Sequence, residues 1–180
     1  EQLDATAAAV FDTLYATSVR NDAPQTTPRP FDAGRDGLVL GEGACTLVLE
    51  ERQHALERGA PILAEVRGYG SNSDGQHVTQ PSSPTMARAM QLALEDAGLA
   101  ASQIGYINAH GTATDHGDIA ESQATAAVFG AGVPISSPWT YSTPSRKRST
   151  PKCSWSARGA RSTWRRSSCC RPWDGPRPRH

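Results

Sequence analysis

From Pro138 to His180 the sequence contains no Leu, Ile, Val, Met or Phe. That limit decides what the end of the chain can fold into. Packed cores are built chiefly from branched aliphatic side chains, each worth about 1.5–3 kcal/mol when fully buried. Fixing a backbone costs roughly 1–2 kcal/mol per residue, and a segment without aliphatics has little to set against it. The same 43 residues hold all four tryptophans (Trp139, Trp155, Trp164 and Trp173) and three of the four cysteines. Charge divides at the same place. Residues 1 to 137 carry 17 acidic side chains against 7 arginines and no lysine, a formal −10. Residues 138 to 180 carry 9 arginines and 2 lysines against Asp174 alone, a formal +10. The neutral total is a cancellation between a body, 1–137, and a basic Trp/Arg/Ser/Pro-rich tail, 138–180, which is expected to be disordered.

Several function classes fall away. No run of 18 apolar residues exists, so no membrane-spanning helix is expected. Glu1-Gln2-Leu3-Asp4 lacks the basic start and apolar stretch of a signal peptide. Adjacent Cys169 and Cys170 have no second pair at metal-ligand spacing, so no metal site is expected. Cys45 stands alone in an apolar run and reads as a buried, inert thiol. A reducing, cytoplasmic setting follows.

Along the body, Leu3 to Val19 is Ala-rich and unbroken by Pro or Gly, which favours helix. Asn21 to Pro30 has three prolines and reads as loop. Leu38-Val39-Leu40 and Ala44 to Glu50, separated by Gly41-Glu42-Gly43, read as buried strands around a tight turn. Glu51 to Arg58 suits a short helix stopped by Gly59 and Pro61, and Ile62 to Gly70 a further strand. Met86, Met90, Ala93, Leu94 and Ala97 form one apolar stripe of a helix over 86–97, with Gly98 placed to end it. Ile104 to Ala109 is then a buried strand, and Gly117 to Phe129 a helix ending at Gly130. Strands alternating with helices imply an α/β fold.

Asn108-Ala109-His110-Gly111-Thr112-Ala113-Thr114, with Asp118 and Glu121 following, is the strongest local feature. A histidine where a buried strand ends faces the crevice in which open α/β sheets bind ligands. Gly111 permits close approach, and Thr112 and Thr114 offer hydroxyls to a polar ligand. On spacing alone, a structural histidine with capping threonines fits equally well.

The run Arg29-Pro30-Phe31-Asp32-Ala33-Gly34-Arg35-Asp36-Gly37-Leu38-Val39-Leu40-Gly41-Glu42-Gly43-Ala44 resembles a block of the β-ketoacyl synthases. Tyr106-Ile107-Asn108-Ala109-His110-Gly111-Thr112 is similar to that family's first histidine motif, and Asp118-Ile119-Ala120-Glu121 keeps its spacing. Two long blocks in the right order, about 70 residues apart, are far more specific than one short motif. The resemblance implies a partial thiolase-like fold, running from the end of the N-terminal half into the C-terminal half. It also implies decarboxylative Claisen condensation in fatty-acid or polyketide synthesis. Substrates there ride on the phosphopantetheine of an acyl carrier protein, with no further cofactor, and the intact family forms homodimers or pairs with a ketosynthase partner. His110 would be the first catalytic histidine. Thr112, Thr114 and Thr79 of the His77-Val78-Thr79 loop would hold the phosphopantetheine arm. Glu121 would pair with a family lysine, and Asp118 would support the site.

The family's nucleophilic cysteine, its lysine, its second histidine and its glycine-rich gating loop have no counterparts here. The sequence therefore reads as an internal fragment, inactive alone and poorly soluble or partly unfolded. A non-catalytic partner subunit resembling a chain-length factor is the alternative. The tail's eleven basic residues and four tryptophans could contact phosphates and stack on bases, but no nucleic-acid module is present and no such partner is expected. The abrupt loss of aliphatics after Ser137 suggests instead GC-rich DNA translated out of frame. Reading that DNA one or two bases out of phase should restore a Gly-His pair and an aliphatic helix. If neither alternative frame does so, the out-of-frame origin is wrong.

Overall fold

The computed structural model describes residues 3–137. The reading of 138–180 as disordered lies outside those residues. Helix α1, Ala5–Thr13, begins where the Asp4 carboxylate accepts the Ala7 N–H at 2.8 Å. It is shorter than the expected Leu3–Val19 helix. At Tyr15 the backbone turns left-handed, with φ 53°. The chain then pairs with the Leu38 region, where Ser18 N–H donates to the Leu38 carbonyl at 2.8 Å and Leu38 N–H to the Ala16 carbonyl at 2.9 Å. A tertiary pairing at the bridge between Thr17 and Leu38 overrides helix propensity.

Helix α2, Arg52–Glu57, is capped by Glu51, whose carboxylate accepts the Gln53 and His54 N–H groups. Helix α3, Ser83–Ala97, starts three residues before the expected Met86, because Pro84 is well accommodated in a first turn. Its Met86, Met90, Ala93, Leu94 and Ala97 stripe is half-buried, while Arg88, Gln91 and Glu95 face solvent. Gly98 ends the helix in the left-handed conformation, φ 63°, and Leu99 N–H bonds back to the Leu94 carbonyl at 3.0 Å.

Strand β1, Ile107–Asn108, leads through helix α4, Asp115–Phe129, to strand β2, Ile135–Ser136. The two strands pair in parallel, Ile107 opposite Ile135 and Asn108 opposite Ser136. The crossover helix α4 packs on α3. The buried apolar side chains among the described residues are alanines: Ala16, Ala55, Ala109, Ala113, Ala120 and Ala124. No described helix is long and apolar enough to cross a membrane.

The strands expected at 38–40, 44–50 and 62–70, the first two as buried ones, are corrected by the structure. Leu38 makes one isolated bridge, and the other two segments belong to no described sheet. Leu47, Val48 and Leu49 are 80%, 88% and 78% exposed, and Leu63 and Val66 are 76% and 81% exposed. A strand satisfies its backbone only against a neighbouring strand and buries its faces only between layers. No described segment supplies either. Cys45 lies in the same stretch and is an exposed free thiol, not the buried one expected.

Segment 62–70 is nevertheless fixed at one end. Gly68 and Gly70 lie so close to α3 that a Cβ on Gly70 would stand 2.2 Å from the Ala89 carbonyl oxygen, and one on Gly68 2.5 Å from that of Ala93. Beside them, Tyr69 N–H donates to the Asp96 carboxylate at 2.9 Å. Gly70→Ala should force this segment off α3, an overpacking cost of about 1–3 kcal/mol. Amide exchange at Tyr69 should then speed at least about tenfold, and an unchanged rate would show that the helix contact is not what holds the segment.

Candidate functional site

The loop after β1 is built on two carboxylates from α4. Asp118 is 2% exposed. One of its oxygens accepts the Phe31 N–H at 2.6 Å and the other the Ala113 N–H at 3.1 Å. Both donors belong to residues in the left-handed region, Phe31 at φ 61° and Ala113 at φ 65°. Such backbone is uncommon away from glycine and persists where surrounding contacts over-determine it. The Arg35 guanidinium adds an ion pair to Asp118 at 3.8 Å, and donates to the Thr114 and Asp115 carbonyls at 3.3 and 3.1 Å. Asp118 and Arg35 thus tie the Arg29–Gly37 block to the His110 loop.

Glu121, one helical turn further on, accepts the His110 N–H at 2.7 Å and the Gly111 N–H at 2.9 Å. Its carboxylate is occupied by the loop it supports, a bond that the sequence reading, with its lysine partner, did not contain. Gly111, at φ 52°, fits because a Cβ there would stand 2.5 Å from the Ser137 side chain and 3.2 Å from the Phe31 ring. His110 is exposed, and among the described residues nothing hydrogen-bonds its imidazole.

Thr114 links the other two threonines. Thr112 and Thr114 hydroxyls bond each other at 2.9 Å. Gly117 makes room for them, since a Cβ there would lie 2.5 Å from the Thr114 hydroxyl and 2.9 Å from that of Thr112. Thr79 bonds His77 Nδ1 at 2.9 Å. Thr79 and Thr114 line one cavity of about 170 Å³, together with Tyr15, Asp36 and His116. His110 is not in its wall. The bond from the Ser18 hydroxyl holds the Asp36 carboxyl below its ordinary value; burial opposes it, and the Arg20 guanidinium adds to the lowering. Sequence reasoning missed His116, Gly117 and Arg35 as parts of the site. The Arg35-Asp36-Gly37 run lay in a quoted block, but only the fold brings it against the loop. No group of His, Cys, Asp or Glu among the described residues could hold a metal ion.

Residues 63–145 match the β-ketoacyl synthase C-terminal domain. The 3-oxoacyl-[acyl-carrier-protein] synthase 2 of Vibrio cholerae is 53% identical over 113 residues, which cover 62% of this chain and 27% of that protein. The crystal structure of a β-ketoacyl synthase from Burkholderia phymatum superposes with a TM-score of 0.76 at 68% identity, over 78% of this chain and 34% of that one. Over these residues the chain is similar to part of a β-ketoacyl synthase, and 63–145 carry that family's C-terminal domain. Its described residues are part of that family's thiolase-like fold, as the sequence resemblance implied. A ketosynthase solved with its type II polyketide acyl carrier protein and a bound hexaketide gives a TM-score of 0.73 at 39% identity, covering 78% of this chain and 36% of that chain. The chain spans about a quarter of the length of the curated relatives it matches.

If Asp118 holds the two left-handed residues in place, Asp118→Asn turns one acceptor into a donor facing a donor, at about 1–3 kcal/mol. Amide exchange at Phe31 and Ala113 should accelerate about tenfold or more, with α3 amides unaffected. Equal acceleration everywhere would mean that Asp118 serves global stability only.

Proposed function

We propose that these residues form one wall of the condensing site of a cytoplasmic β-ketoacyl synthase acting in fatty-acid or polyketide synthesis. The observation that carries this reading is the juxtaposition on one loop of an exposed imidazole, His110, and two hydroxyls, Thr112 and Thr114, the latter sharing a cavity with Thr79. In the condensation, an acyl group held on a cysteine thiolate meets a malonyl thioester. The malonyl unit loses carbon dioxide, its C–C bond electrons become an enolate, and the enolate carbon attacks the acyl carbonyl and expels the thiolate. Covalent capture divides one difficult transfer into two easier ones.

In this reading His110 donates a hydrogen bond to the malonyl thioester oxygen as charge develops there. A preorganised donor at such a position contributes about 3–4 kcal/mol. Glu121 fixes the backbone of His110 and so acts as a positioning residue. Thr79, Thr112 and Thr114 hold the phosphopantetheine arm presented by an acyl carrier protein. Cys45 has no part in the chemistry. It is exposed, and among the described residues its hydrogen-bond contact is with the Thr46 carbonyl at 3.9 Å, whereas a reactive thiol needs an electropositive setting.

Two measurements on the 180-residue chain test this. On addition of malonyl-pantetheine thioester, the His110 imidazole resonance should shift. With radiolabelled acyl carrier protein and malonyl carrier protein, Cys45 should stay unlabelled and no 3-oxoacyl product should form. An unmoved His110 resonance, or label on Cys45, overturns the reading.

A further inference from the structure

His116 belongs to none of the motifs that carry the family resemblance, yet it occupies a particular place in the fold. It lines the cavity of about 170 Å³ shared by Thr79 and Thr114. It also lines a second cavity of about 210 Å³, together with Gln80 and Gln123. His116 is therefore a residue common to both hollows. Between apolar residues such as Leu14 and Ile119, the polar groups along them include threonine hydroxyls in the first, and glutamine amides and the Ser83 hydroxyl in the second. Their lining is uncharged apart from Asp36 and Asp115 in the first hollow. A linear ligand lying through both would meet hydrogen-bonding groups of both polarities at intervals, which suits a chain of amides and hydroxyls. Pantetheine has that composition, with two amides and two hydroxyls between its ends counting the one that carries the phosphate.

We propose that His116 is a specificity-determining residue for the pantetheine arm, hydrogen-bonding one of its amide or hydroxyl groups where the arm passes between the two hollows. The inference rests on the reading of Thr79 and Thr114 as the arm's holders, and extends the site to the second residue of α4. His116 is exposed at the second residue of α4, so replacing it disturbs no core contact. Its imidazole offers both a donor and an acceptor, and a side-chain amide can supply the same pair.

The test uses the 180-residue chain with free pantetheine as probe. Histidine imidazole resonances are recorded during the titration, and the His116 signal is assigned by its loss in His116→Ala. The expected result is a saturable shift of the His116 signal. Affinity should fall about three- to tenfold in His116→Ala, the loss of one hydrogen bond, and recover largely in His116→Gln. Thr114→Val should weaken binding independently, and circular dichroism should match the parent chain in all variants. If pantetheine binds and Thr114→Val weakens it while His116→Ala does not, the role of His116 is overturned and the reading of the threonines stands. If the parent chain shows no saturable shift, both are overturned.

Discussion

A carboxylate taken out of water has to be met by donors, and those donors are then fixed where the carboxylate stands. Asp118 is 2% exposed, and what it fixes are the N–H groups of Phe31 and Ala113, both held with left-handed backbone. The described site follows from that grip. Ala113 sits between Thr112 and Thr114, so its conformation sets where the two hydroxyls point. Phe31 brings its ring against Gly111, next to His110. Glu121 completes the support from the next turn of α4, so this helix holds three backbone donors of the loop and a fourth at Phe31.

The same helix carries the second half of the site. α4 begins at Asp115 immediately after the threonines, which places His116 beside Thr114, and Gly117 where a side chain would strike both hydroxyls. A site held by a helix and by backbone hydrogen bonds to its carboxylates is more rigid than one on a free loop. The contrast with residues 41–50 is sharp. Those residues are exposed throughout, and no described strand pairs with them.

Much of this was legible in the residues themselves. The His110-Gly111-Thr112 phrase, the Asp118 and Glu121 spacing and the Arg29–Ala44 block together identified the family, and the apolar stripe and Gly98 placed α3 to within three residues at its start. The role of Glu121 was not legible, because its partners are backbone N–H groups, which every sequence position has. Arg35 was equally silent, since its contacts with Thr114, Asp115 and Asp118 span about 80 positions of chain.

The sequence by itself determined what depends on neighbours along the chain: helix periodicity, caps, and the identity of a motif whose chemistry lies within a dozen residues. Tertiary structure decided what depends on partners far away. It shortened α1 in favour of a pairing with Leu38, and left the apolar runs at 44–50 and 62–70 without strand partners. The physical reason is that a helix closes its hydrogen bonds within its own segment, whereas a strand closes them only on another. The break after Ser137 is a statement of composition. The grip of Asp118 on Phe31, across 87 positions, is a statement only the fold could make.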